Sequence, residues 1–446
     1  MALGGGQYTT TDKSLAGAYI NSVSAARTLD LTGENGIVAI ALEHNFGNQG
    51  ELFKVRTSEF RENSLTIFGY SLFDEKLKGI RELIENSKMV YFYILNKTTK
   101  AENAYAIANK GGTRGNDITI KVQTNIDDPK KKDVITMLDY IVIDKQTVTT
   151  AKDLYPNILV TFKPDSLLEL TAGTKLASGE DGTATNENHQ DFLNKLETKS
   201  FNVLACMSTT KELQKLYITY TKRMRNEIGL KFATVVCEAS DIGGDITMYD
   251  FEGVVVVKNK VKGEKVKGNE LVPFTAAIYA NAELGRSNLN RLYTGEYDVV
   301  TEFTQFQLNE FRKQGRFVYH QVGDSVRVLE DVNGLITTTD TKGSEFKDNQ
   351  VIRVLDALAM ADAKVFNEMY LGKVNIDKPG IESLQNKIVE IREAFLAKNA
   401  LKAYDKKGIK VEEVQIEGVR GAVKVDSVIT PAECFRQLYL TNYVQI

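Results

Sequence analysis

The sequence predicts a multidomain α/β protein. It has a discontinuous α/β core, an inserted all-β unit, an α+β carboxy-terminal domain and an extended strand-forming arm at each end. Three observations predict this. Continuous apolar runs alternate with helix-period segments on both sides of residues 97–176. Within 97–176 the pattern changes to short alternating strands separated by turn-like pieces. The chain also ends on "RQLYLTNYVQI", in which Leu438, Leu440, Val444 and Ile446 share one parity and Tyr439, Thr441, Tyr443 and Gln445 the other. Chain ends fray unless tied down, so a final strand with one apolar face needs a sheet to join.

The elements follow in order. Residues 1–25 are rich in Gly, Thr, Ser and Ala and cannot build a core; within them Ala16–Val23 reads as one short strand. In the first part of the core, 26–96, "NGIVAIALEH" reads as a buried strand. Ser71–Ser87 reads as a helix, with Leu77, Ile80, Leu83 and Ile84 at helical spacing, and Lys88–Asn96 as an apolar strand. That is a β-α-β unit with its sheet covered on both faces. The strands "DITIKVQT", "TMLDYIVIDKQTVTT" and "ILVTFKP" place a small sandwich or open barrel at 97–176. The α/β pattern returns over 177–335. A helix lies around His189–Thr198, the strands are "FNVLACM", "KFATVVCEA" and "FEGVVVVKNKV", and a further helix opens near Pro273.

Over 336–430 the chain is helical and then β. Val351, Leu355, Leu358, Val365 and Met369 mark one helix stripe, and Ile381, Leu384, Ile388, Ile391 and Phe395 a second, behind Pro379. The other face of the second helix carries Glu382, Lys387, Glu390, Arg392 and Lys398. "IKVEEVQIEG" and "AVKVDSVIT" read as paired strands. Thr430–Glu433 has a capping-box spacing with proline at the first helical position, which predicts a helical turn ahead of the arm at 431–446.

Composition limits the function. At 446 residues the chain is long enough for about three domains. Its net charge of −3 carries no basic excess for nucleic acid, and no run approaches the length of a membrane span. The amino terminus lacks the basic segment and apolar core of a secretory signal. Cys206, Cys237 and Cys434 are few and far apart, which fits free thiols in a reducing cytoplasm.

Catalytic patterns are weak. His44, His189 and His320 make no close ligand cluster with Cys or Asp, so no metal site is expected. No G-x-S-x-G elbow and no phosphate-loop spacing occurs. "GEDGTATNEN" and "DIGGDIT" read as solvated loops, and the glycines of "GGTRGND" as left-handed positions in a tight turn. Two strand-like termini on a chain of well-formed domains favour assembly over chemistry. Two other readings are an α/β hydrolase-like enzyme with an accessory β domain, and a static fibre or surface-layer subunit.

Five stretches add a resemblance. "LAGAYINS", "NKGGTRGNDITIKV", "LASGEDGTATNENHQDFLNKLE", "VIRVLDALAMADAKVFNEMYLGKVNID" and "LYLTNYVQI" occur in this order along nearly the whole chain. They resemble motifs of the contractile phage tail sheath proteins of myophages and phage-tail-like bacteriocins. Ala16 stands where that family usually has proline, and Ser178 where a second glycine is common.

The resemblance implies a subtilisin-like fold for the α/β core without catalysis or cofactor, and a β-sandwich for the insertion. It implies hexameric rings stacked on a helical lattice around an inner tail tube, with baseplate and tail terminator as further partners. Contraction from a metastable extended state would drive the tube through a target envelope. The particle would be a virion tail or a phage-tail-like particle, assembled in the host cytoplasm, without membrane insertion. The arms would donate strands to neighbouring subunits through Ala18, Tyr19, Ile20 and Asn21 at one end. At the other end the donors would be Leu438, Tyr439, Leu440, Tyr443, Val444 and Ile446. Lys387, Glu390 and Arg392 on the charged helix face are the expected tube contact.

Overall fold

The computed structural model describes residues 35–263, 266–417 and 419–445. Ala18, Tyr19, Ile20, Asn21 and Ile446 lie outside the described residues. The chain opens with β1 (Ile37–Leu42), β2 (Leu52–Arg56), α1 (Thr57–Phe68), α2 (Lys78–Glu85) and β3 (Met89–Ile94). The helix expected over Ser71–Ser87 is shorter, because a 3-10 turn, Glu75–Leu77, precedes α2. Neither β2 nor α1 was expected. Only Phe60, Ser64 and Phe68 of α1 are buried, a single row spaced by four with a serine at its centre, which leaves little apolar signal.

Eight strands follow: β4 (Thr98–Glu102), β5 (Ala106–Gly111), β6 (Thr119–Thr124), β7 (Lys132–Leu138), β8 (Ile141–Val148), β9 (Val160–Phe162), β10 (Thr171–Lys175) and β11 (Glu180–Asp181). They form two four-stranded antiparallel sheets, β10-β6-β7-β8 and β11-β4-β5-β9. Ala101, Ala106, Ala108, Ile120, Val122, Val134, Leu138 and Val160 fill one core. Two facing sheets around one core make a sandwich, which settles the choice between sandwich and barrel.

The chain then returns through α3 (Asn186–Leu196), β12 (Val203–Cys206), α4 (Lys211–Arg223), β13 (Ala233–Cys237), β14 (Val254–Val257), α5 (Val272–Ala280), α6 (Gln305–Lys313), β15 (Arg316–Phe317), β16 (Tyr319–Val322) and β17 (Ser325–Val328). A seven-stranded sheet of order β15-β14-β13-β12-β1-β3-β2 draws strands from both sides of the sandwich. All neighbours are parallel except the edge pair β2 and β3. Side chains alternate across it. Val38, Ile40, Val235 and Val255 pack with α1, α2 and α5, and Ala39, Leu204, Val236 and Val254 with α3 and α4. Every residue of α5 is buried, so it shows no amphipathic stripe.

The last part holds α7 (Asn349–Val365), α8 (Lys378–Ala397), β18 (Leu401–Tyr404), β19 (Lys410–Ile416), β20 (Val419–Asp426) and β21 (Ile429–Pro431). Val354, Leu358, Ala361 and Val365 meet Leu384, Ile388, Ile391 and Phe395 in one core. Asp377 caps α8, accepting from the Gly380 N–H at 2.8 Å, with proline in the first turn. The stripe of α7 departs from expectation at its end. A π-turn over Phe366–Tyr370 adds a residue and changes the phase, burying Tyr370 and leaving Met369 37% exposed. β19 and β20 pair as an antiparallel hairpin. The helical turn expected at Thr430–Glu433 is absent. β21 pairs there with β18, and the Ala432 N–H donates to the Ala400 carbonyl at 2.9 Å, so the ladder takes the groups a helix would use.

Candidate assembly surfaces and interdomain locks

The glycine-rich turn after β5 joins the sandwich to the core. Gly112 has φ +112°, and a Cβ there would lie 2.1 Å from the Asn45 carbonyl oxygen, so only glycine fits. Arg114, 7% exposed, donates from Nε to the Gly69 carbonyl at 2.6 Å and from Nη1 to Asp117 at 2.8 Å, and it pairs with Asp139. Its guanidinium also stacks 4.6 Å from the centre of the Tyr70 ring. Asp181 accepts from both the N–H and the hydroxyl of Thr113, at 2.8 and 2.7 Å, and Asn116 exchanges two bonds with Gly179. The two glycine-rich motifs of the sequence therefore meet in space and hold each other. "GEDG" is a clasp here; the solvated loop expected over it begins only beyond Asp181.

A second lock joins the sheet domain to α7. Arg225 and Asp356 form a bidentate pair, and Arg353 donates to Asp331 at 2.7 Å. Arg225, Asp331 and Asp348 are almost fully buried. No local signal in the sequence marks the Arg225–Asp356 and Arg353–Asp331 pairs, because the partners are remote along the chain.

Beyond Arg436 no main-chain group of the carboxy-terminal arm bonds to the rest of the chain among the described residues. Residues 432–445 have no regular secondary structure. Phe435 is 99% exposed, and Leu438, Tyr439, Leu440, Tyr443 and Val444 are all more than two-thirds exposed. Both faces of the segment are open, apolar and polar alike.

The charged face of α8 differs from expectation. Lys387 is half-buried and pairs with Glu390, which is exposed. Arg392 is not on that face. It is 6% exposed and donates to both carboxylate oxygens of Asp362 on α7, at 2.7 and 2.8 Å. Arg392 is therefore not available as a tube contact, because a guanidinium held inside the domain cannot reach a partner.

Among the described residues no His/Cys/Asp/Glu group could hold a metal ion, and no helix is long and apolar enough to cross a membrane. His44 bonds to the main chain of Phe46, and burial lowers its pKa to about 4. His189 bonds Tyr217 at 2.8 Å and is likewise held down by burial. His320 sits on β16. Burial pushes the Cys206 and Cys237 thiols up to about 12. Both thiols stay protonated near pH 7, and buried cysteines of this kind are inert.

Three family matches run in succession along the chain. Residues 96–181 match the phage tail sheath protein beta-sandwich domain, 182–334 the phage tail sheath protein central domain, and 341–445 the phage tail sheath C-terminal domain. The phage-like element PBSX protein XkdK of Bacillus subtilis is 30% identical over 386 residues, 80% of each chain. The crystal structure of the sheath tail protein of Desulfitobacterium hafniense superposes with a TM-score of 0.78 at 30% identity, covering 89% of this chain and 93% of that one. The helical sheath of the anti-feeding prophage in its contracted state shares the fold, with a TM-score of 0.56 at 12% identity over 97% and 99% of the two chains. On these matches the chain belongs to the phage tail sheath protein family.

Proposed function

We propose that this protein is the repeating subunit of a contractile sheath, stacked as hexameric rings around an inner tail tube. The observation that carries the reading is the arm. Its alternating apolar residues, Leu438, Leu440 and Val444, are all exposed and follow one another along a single stretch of chain. Burying an aliphatic or aromatic side chain is worth about 1.5–3 kcal/mol, so a segment of this kind is stable only against another surface. Addition to a neighbour's sheet supplies main-chain hydrogen bonds while alternate side chains fix the register. The amino-terminal strand through Ala18–Asn21 would join the same sheet from another subunit. A head-to-tail contact that does not close gives an open filament.

The central sheet is a subtilisin-like scaffold put to structural use, with no catalytic role. The two locks make each subunit a stiff unit that moves as a whole. Contraction draws on a metastable extended lattice whose interfaces change between two states. The inner tube, baseplate and tail terminator are the partners. The particle is a phage tail or phage-tail-like assembly built in the host cytoplasm.

Deletion of Leu438–Ile446 tests this. The expected product is a folded, soluble monomer that electron microscopy finds in no tubes or rings. Normal striated sheaths from the deletion would overturn the arm assignment.

A further inference from the structure

The arm does not leave the fold where β21 ends. Its first residues are held against the start of α7. Gln350 is 1% exposed, and its amide is engaged at both ends. Nε2 donates to the Gly285 carbonyl and to the Ala432 carbonyl, each at 2.8 Å. The Cys434 N–H approaches Oε1 at 3.4 Å. Two residues on, Arg436 pairs with one carboxylate oxygen of Asp348, and the other oxygen caps α7 by accepting from the Gln350 N–H at 2.8 Å. Among the described residues, no main-chain group from Phe435 to Gln445 bonds to the rest of the chain. The arm therefore has a fixed root, 432–436, and a free segment that begins at Gln437.

The geometry points to Gln350 as the residue that sets where, and in which direction, the carboxy-terminal arm leaves the subunit. It is a positioning residue for assembly, and this inference rests on the strand-exchange reading above. Two carbonyls need donors and one N–H needs an acceptor at a single buried point. A primary amide supplies both; a carboxylate has no donor, and a thioether has no donor and only a weakly accepting sulfur. A segment fixed at its root samples a small volume around its exit, which raises its effective concentration at a neighbour's sheet edge. A segment that swings from β21 would be ordered only on binding, at an entropic cost.

The test uses the full-length chain with Q350M and R436A, compared with the arm deletion. Hydrogen exchange is read on the peptide spanning 432–436, with 439–445 of the same arm as internal control, alongside thermal melting and sheath yield in micrographs. Q350M, which removes both of its bonds to the arm root, is expected to speed exchange at 432–436 at least about tenfold with 439–445 unchanged. Sheath yield falls while the melting temperature stays within a few degrees. R436A moves exchange and yield the same way by less; its side chain is 39% exposed, so it covers the case in which Q350M fails to fold. Unchanged exchange in both variants overturns the anchor. Faster exchange with normal sheaths overturns its role in assembly. Normal sheaths from the arm deletion would instead sink the strand-exchange reading, with the exchange ratio still deciding the anchor.

Discussion

Arg225 and Asp356 face each other as a bidentate pair, with each guanidinium Nη atom 2.7 Å from a carboxylate oxygen. Arg225 lies in the π-turn after α4 and Asp356 in the middle of α7, so the pair crosses from the sheet domain to the carboxy-terminal helices. Arg225 is 4% exposed and also donates to the Phe232 carbonyl. Asp356→Ala would leave a buried cation without its counter-charge. A loss of about 3–5 kcal/mol is expected in urea unfolding of the full chain, and Asp356→Asn should lose less. A loss under about 0.5 kcal/mol would mean that the two domains are held by apolar packing alone.

Much of this fold is legible in the sequence, because the strongest patterns are local. The parallel strands read as continuous apolar runs, and α8 reads from its stripe, its proline and its cap. What was not legible depends on distance along the chain. The row of α1 is too narrow to register. The end of α7 changes phase at a π-turn that no single residue signals. Arg392 looks like part of a solvated face until α7 brings Asp362 beside it, thirty residues away. Gln350 looks like an ordinary first-turn residue until Ala432 returns from the far end of the chain.

The position of Arg392 makes a prediction that separates it from its neighbour on α8. Arg392→Ala removes one partner of an almost buried pair and should lower stability by about 3 kcal/mol, since Asp362 loses its counter-charge. Lys387→Ala, on the same helix, removes only a local pair with Glu390 three residues on and should change it by about 0.5 kcal/mol or less. Thermal melting of both monomers checks the contrast. Equal effects would contradict the placement of the guanidinium.

Glu82 carries a pH dependence. It is 4% exposed, and its Oε1 accepts from the Tyr293 hydroxyl at 3.0 Å and from the Glu296 N–H, while Oε2 is buried without a partner. Burial raises its pKa from an ordinary 4.5 to about 7. The folded state therefore holds this proton more tightly than the unfolded state. Stability falls as pH rises from about 4.5 to about 7, by up to roughly 3 kcal/mol from this group, and the penalty is complete above both values. Glu82→Gln has no charge to lose. The variant should gain on the wild type across this window and keep the gain at pH 8. A difference that does not vary with pH would show that Glu82 stays ionised throughout.

With Arg392 inside the domain, the sign of the proposed tube contact changes. Without Arg392, the charged face of α8 keeps Glu382, Glu390 and Lys398 exposed and Lys387 half-buried against Glu390, so its exposed charges are two acidic to one basic. A face of that kind fits a basic patch on its partner, and its attraction is screened by salt over about 10 Å at 0.1 M. Reversal at Glu382 and Glu390 to lysine should lower the fraction of tube-filled extended particles in micrographs. The deficit should be larger at about 0.05 M salt than at about 0.5 M, where the attraction is already screened in the wild type. Lys387→Gln should leave the fraction unchanged or raise it. Both residues are surface groups, so monomer melting should hardly move and a folding defect would be visible separately. If Lys387→Gln were the variant that lost tubes, the partner patch would have to be acidic, and α8 would not be the face that meets it in the way its charges require.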